Sequence, residues 1–197
     1  LRGLRSRKPI GFRQWVVHKS VNQYLEEVYE KTHAKDMPSG LLVLPHFAGA
    51  ATPYMDTGSK GAILGLTIAT TVDEIYRGCM EGVVYEMVLN AKKLASSGVH
   101  YKKIHATGGG AHSAVWMQMK ADMLNVPMIA LKTIDAGTVG SAMLTGVAIG
   151  VFQDLNDATA HMVEQVQIYE PRQEMHEKYM QIYQRYEGVY QAVRPLM

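Results

Sequence analysis

The stretch Gly108-Gly109-Gly110-Ala111-His112-Ser113 is where this chain most plainly offers chemistry. Three consecutive glycines follow a short apolar run, Ile104-His105-Ala106, and precede a helix-like stretch from Ser113 to Leu124. A strand that leads through such a loop into a helix gathers backbone N–H groups near a positive helix end, which suits a phosphate. Glycine matters there because a Cβ would keep a ligand away from the backbone. Ser113 brings a hydroxyl to the helix start, where it can cap the helix or touch a ligand. Three readings are open on these residues: a plain turn, a dinucleotide loop, or a phosphate cradle.

The dinucleotide reading draws on Gly108-x-Gly110-x-x-Ser113, close to G-x-G-x-x-G, with Asp135 about 20 residues on. It is weakened twice: the third glycine is Ser113, and Asp135 lies several residues past the second strand instead of at its tip. A P-loop is excluded, because no Gly-Lys-Ser/Thr occurs. His100, His105 and His112 are close in sequence, but their spacing fits neither a helical nor a hairpin metal site. His112 borders the loop and reads as a partly exposed loop residue. No Cys–His or Ser–His–Asp arrangement stands out, and no metal ligand set is assigned.

The elements around the loop are legible from periodicity. Val17, Val21, Tyr24, Leu25 and Val28 predict an amphipathic helix over about residues 16 to 32. "LLVL" at 41–44 reads as a buried strand ended by Pro45, and the Gly/Ala/Thr/Pro-rich segment behind it as an ordered loop. Thr71-Val72-Asp73-Glu74 has capping-box form, and a long apolar stripe from Met80 to Ala95 runs to a natural stop at Gly98. "KKIHA" and "VPMIAL" read as strands on either side of the Ser113–Leu124 helix. "AGTVGSAMLTGVAIG" reads as a helix whose small residues imply a close neighbour. Asn156–Val166 is expected to be helical. Pro171 is expected to open a last helix that carries Met175, Tyr179, Ile182, Tyr183, Tyr186 and Tyr190 on one packing side. The alternation of helix and strand predicts an α/β arrangement with parallel strands. Three short strands make a thin sheet for so many helices, so strands are expected to be missing.

Bulk properties restrict the partners. At 197 residues the chain can bury a substantial core, and 47% hydrophobic with 19% charged residues excludes a disordered polymer. A net charge of +2 points to no nucleic acid, and the basic leader (Arg2, Arg5, Arg7, Lys8) lacks interleaved aromatics. The uncharged run Ala136–Gln153 is shorter than the roughly 20 apolar residues of a membrane span. A single cysteine, Cys79, rules out an internal disulfide and favours a reducing, cytoplasmic compartment; its place on the apolar side of a helix pattern reads as a buried thiol.

From about Gln14 to Phe152, four stretches in order resemble the C-terminal half of the FGGY family of carbohydrate kinases, xylulokinase-like members in particular. "LLVLPHFAGAATPYMDTGSKGAILGLT" is similar to the family's strand, Phe-x-Gly, Thr-Pro and Arg-Gly segment. "IYRGCMEGVVYEM" resembles its Arg-Ala-x-x-Glu-Gly helix. "ATGGGAHSAVWMQMKADMLNVPM" resembles its adenine-side loop, and "DAGTVGSAMLTGVAIGVF" its Glu-x-x-x-x-Gly-Ala-Ala helix. The resemblance implies a partial actin-like ATPase (ribonuclease H-like) α/β domain, with ATP and Mg2+ serving transfer to a sugar or polyol hydroxyl. It places Gly108, Gly109, Gly110 and Ser113 at the nucleotide, and Gln14 beside it. Departures are Ala50-Ala51 for Glu-Arg, Lys60-Gly61 for Arg-Gly, and Asp135 for Glu.

Family members are more than twice as long. The expectation is therefore residues 1–14 as a basic leader or remnant, and 15–197 as an ATP-side domain incomplete at its N-terminal side. The catalytic Asp is expected upstream of residue 1, so this chain alone should be inactive. Apolar surface left bare by missing strands predicts self-association, with a homodimer one form of it. Two other readings are a non-catalytic nucleotide-binding or regulatory module and a Rossmann-type dehydrogenase domain.

Overall fold

The computed structural model describes residues 21–32, 37–133 and 135–197. The basic leader and Gln14 lie outside them. Helix α1 is Val21–Lys31, within the expected span. Strand β1, Leu42–Leu44, is buried throughout and pairs antiparallel with β2, Ala62–Leu64 (Leu42 opposite Leu64). The intervening segment had read as loop alone; its last residues form that second strand.

Helix α2, Val72–Ser96, begins at the capping box. The Glu74 N–H donates to Thr71 Oγ1 at 3.2 Å, and the Thr71 N–H donates to Glu74 Oε2 at 2.7 Å. It stops where Gly98 turns left-handed (φ +84) and the Val99 N–H reaches back to the Leu94 carbonyl. Gly78 and Gly82, one turn apart, let α2 lie directly on β1: a Cβ on Gly82 would stand 2.2 Å from the Val43 carbonyl oxygen.

Strand β3 (Ile104–Ala106) leads through the glycine turn into α3 (Ala114–Leu124) and then β4 (Met128–Leu131). β3 and β4 pair in parallel, Ile104 opposite Met128, as the alternation predicted. Helix α4 is Ala136–Ala148, capped by Asp135, and α5 is Leu155–Met162, capped by Asp154. The expected helix to Val166 ends four residues early. Gln165–Tyr169 forms β5, antiparallel to β4, with a bulge at Ala130/Leu131. Its residues alternate Gln-Val-Gln-Ile, a period-two signal that the preceding helical period masked. Helix α6 runs Gln173–Tyr186 with Arg172 at its cap, so Pro171 precedes the helix instead of opening it. A short helix α7 (Val189–Val193) and a final turn, Arg194–Leu196, follow.

Two apolar cores meet on α3. Met119 and Met123 face a core built from β1, α2 and the tyrosine helix, including Leu44, Tyr85, Met175, Tyr179 and Tyr183. Met117 and Ala121 face a second core with Met128 and Ala130 of β4. A helix buried on both sides carries apolar residues nearly all round, which explains "VWMQMKADML". The tyrosine stripe is core: Tyr179 and Tyr183 are each 1% exposed. α4 differs. Its one buried residue is Gly146, against Phe152, and Leu144, Ile149 and Val151 stand exposed on or beside it. Among the described residues no helix is long and apolar enough to cross a membrane.

Candidate functional site

The turn between β3 and α3 has the geometry of an open cradle. Gly108 adopts φ +80 and ψ −176, a conformation that L side chains rarely take. Gly109–His112 then forms a single tight turn, closed by the Ala111 N–H donating to the Gly108 carbonyl at 3.0 Å. A Cβ on Gly108 or Gly109 would meet no heavy atom within 4 Å, so this side of the loop faces free space. Gly110 is glycine for a different reason. A Cβ there would stand 2.9 Å from the Trp116 ring, so the loop rests on that indole.

Ser113 is buried and caps α3, its Oγ accepting from the Trp116 N–H at 3.3 Å. Of the two roles open to it in sequence, capping is the one its neighbours engage. Behind the loop, the Thr107 hydroxyl donates to the Thr133 carbonyl, joining the ends of β3 and β4. His112 is exposed on the turn.

Beside the loop, a cleft of about 940 Å³ runs between α1 and the first turn of α3. Gln23, Glu26, Glu27, Glu30 and Lys31 line one wall, Ala114 and Val115 the other.

Every aspartate among the described residues is engaged structurally. Asp56 accepts from the Tyr190 hydroxyl at 2.8 Å and pairs with Arg194. The Tyr190 hydrogen bond, with help from Arg194 and the Gly58 N–H, holds its carboxyl below the usual range. Asp122 is fully buried and bonded to Arg172, at 2.7 Å from Nη2. It also has a local partner, Gln118, whose Nε2 donates to Oδ1 at 2.9 Å, so the carboxylate joins its own helix to a residue fifty positions away. Asp73 takes the Tyr24 hydroxyl at 2.9 Å, with Lys31 3.4 Å away. Asp154 caps α5, and Asp157 accepts from the Gln153 N–H. Asp135 caps α4 by accepting the Thr138 N–H at 3.0 Å, which lowers its pKa. That engagement leaves it without the ribose-binding place a dinucleotide fold would require.

One array escaped the sequence reading. Ser59 Oγ lies 2.7 Å from His46 Nδ1, and His46 Nε2 lies 3.6 Å from Glu86. The residues span forty positions, so no local spacing could flag them. Ser59 is 3% and His46 4% exposed, and Tyr54 and Tyr190 press edge-on against the imidazole. With no room for a substrate at the hydroxyl, the array is a satisfied polar core. Cys79 is half-buried, less covered than its helix pattern implied, and burial raises its thiol pKa. Among the described residues, no group of three or more His, Cys, Asp or Glu could hold a metal ion.

Comparison with known proteins gives the family. The FGGY family of carbohydrate kinases, C-terminal domain, matches residues 11–149. The xylulose kinase of Staphylococcus epidermidis is 30% identical over 176 residues, covering 89% of this chain and 36% of that protein. A glycerol kinase of Deinococcus radiodurans is 31% identical, covering 77% of the chain and 30% of the relative. In fold, the ligand-bound xylulose kinase of Lactobacillus acidophilus superposes with a TM-score of 0.77 at 26% identity, over 87% of this chain and 34% of that one. The chain thus spans about a third of the length of these relatives and shares their α/β, actin-like ATPase fold. It belongs to the FGGY family of carbohydrate kinases and carries the family's C-terminal domain.

Proposed function

We propose that this chain is the nucleotide-side part of an ATP-dependent carbohydrate kinase. In that protein the γ-phosphoryl group of ATP passes to a hydroxyl of a sugar or polyol. The observation that carries the reading is the open face of Gly108 and Gly109 at the start of α3, where backbone can approach a nucleotide closely. The residues fit that ligand: Gly108 and Gly109 leave space, Gly110 and Trp116 hold the loop rigid, and Ser113 fixes the helix start. The cleft between α1 and α3 would take the nucleoside, with the phosphates toward the loop. Gln14, by the family resemblance, approaches from the segment before α1. Mg2+ carried on the phosphates would supply charge neutralisation there.

Within this chain the work is binding and orientation. Each described aspartate is held by a structural partner, so the base that takes the acceptor proton comes from outside these residues. The related xylulose and glycerol kinases span about two and a half times this length, in keeping with an acceptor site and base contributed elsewhere. The chain alone is therefore inactive, and its compartment cytoplasmic. The exposed apolar side chains near α4 and on β5 lead it to self-associate. ATP-dependent phosphorylation of xylulose or glycerol by the isolated chain, above a protein-free blank, would contradict this reading.

A further inference from the structure

Lys120 is out of place for a lysine. It sits on α3 one turn after Trp116, is only 8% exposed, and has its Nζ 4.0 Å from the centre of the Trp116 ring. The same nitrogen lies 3.4 Å from where a Cβ of Gly110 would stand, directly beneath the glycine loop. Among the described residues it has no carboxylate within ion-pair distance and no hydrogen-bond acceptor; the indole face is its sole partner. Cation–π contact offsets only part of the cost of withdrawing an ammonium from water. The chain carries the difference as a deficit, which an anion at the loop would remove. Burial also holds the ammonium pKa below the ordinary lysine range, as expected for a charge without a counter-ion.

The surroundings say where that anion lies. The loop is open at Gly108 and Gly109, and its third glycine is the one whose Cβ would stand against the Lys120 ammonium. Nearby, Trp116 Nε1 is a buried donor with no partner among the described residues. A glycine turn, a helix start and an unpartnered buried cation therefore converge on one point.

We propose that Lys120 is a nucleotide-binding residue whose ammonium, seated on Trp116 beneath Gly110, takes the phosphate chain of a nucleotide lying on the loop. The proposal rests on the nucleotide reading above. It adds that discrimination between phosphorylated and unphosphorylated nucleosides resides in this side chain.

The test is calorimetric binding of ADP, adenosine and inorganic pyrophosphate to the 197-residue chain, in the wild type, Lys120→Met and Lys120→Arg. A charge-assisted contact predicts about a 10- to 100-fold loss of ADP affinity in Lys120→Met, with adenosine affinity unchanged and most ADP affinity kept by Lys120→Arg. Removing an unpartnered buried charge also predicts a thermal midpoint for Lys120→Met at or above the wild-type value. Equal losses for ADP and adenosine, no loss for either, or a lowered midpoint would each assign Lys120 to packing and overturn the proposal. Pyrophosphate bound as tightly as ADP, and through Lys120, would make this a plain anion site and overturn the nucleotide assignment. Binding of none of the three by the wild type would instead overturn the nucleotide reading itself, and this proposal with it.

Discussion

At the scale of single residues, the three glycines of the loop are glycine for three different physical reasons, and substitutions should separate them. Gly109 has ordinary backbone and open space, so Gly109→Ala should leave the thermal midpoint within a degree or two yet weaken nucleotide binding sharply. Gly108→Ala should cost about 1–3 kcal/mol of stability, because φ +80 with ψ −176 is backbone that only glycine adopts readily. Gly110→Ala should cost about 1–3 kcal/mol for a different reason, since the new methyl meets the Trp116 ring; denaturant midpoints would set both apart from Gly109→Ala. Asp56 offers a pH test. Its folded pKa is lowered, so its contribution is present above the unfolded value of about 3.9 and fades as pH falls through the lower folded value. The stacked Tyr54–Tyr190 pair beside it should lose near-ultraviolet dichroism only once pH falls below the ordinary aspartate range, and Asp56→Asn should abolish that acid step. The run of glycines was evident in sequence, with a phosphate cradle one of three readings open on it. What Gly110 and Lys120 touch was not, because side-chain contact across a turn leaves no spacing signal.

At the scale of elements, what the chain says about itself depends on how local the physics is. The capping box at Thr71–Glu74 and the stop at Gly98 were readable because a helix end is satisfied by its own neighbours. Strand β5 was not, because an edge strand exposed on both faces lacks an apolar run to announce it. Gly78 and Gly82 pass in sequence as blemishes in a helix, and only the close approach to Val43 explains them. Gly82→Ala should destabilise the chain by about 3 kcal/mol or more, read by chemical denaturation, since the methyl would meet backbone that cannot yield. The Asp122–Arg172 pair ties α3 to the start of α6, in the segment after the family match. Arg172→Ala would leave a fully buried carboxylate with only the Arg172 N–H and Gln118 for partners. Because the guanidinium is itself partly exposed, the expected loss is about 2 kcal/mol, below the full value of a buried pair.

At the scale of the whole molecule, the two cores and the loop they support form a coherent unit, while α4 and β5 leave apolar side chains in solvent. Leu144, Ile149, Val151, Val166 and Ile168 are all between 48% and 71% exposed. Sedimentation of the isolated chain should therefore show concentration-dependent association, and a clean monomer would contradict it. The uncharged helix was visible in sequence, and its small residues were read as a sign of a close neighbour. Among the described residues that neighbour is chiefly α5 and Phe152. The central claim is that Gly108–Gly110 form one wall of a nucleotide site. Its most direct test is an amide NMR titration of the chain with ADP. The account predicts saturable shifts concentrated at Gly108–Gly110 and at Ala114 and Val115, absent in Gly109→Ala. Shifts confined to other parts of the chain, or none at any ADP concentration, would contradict it.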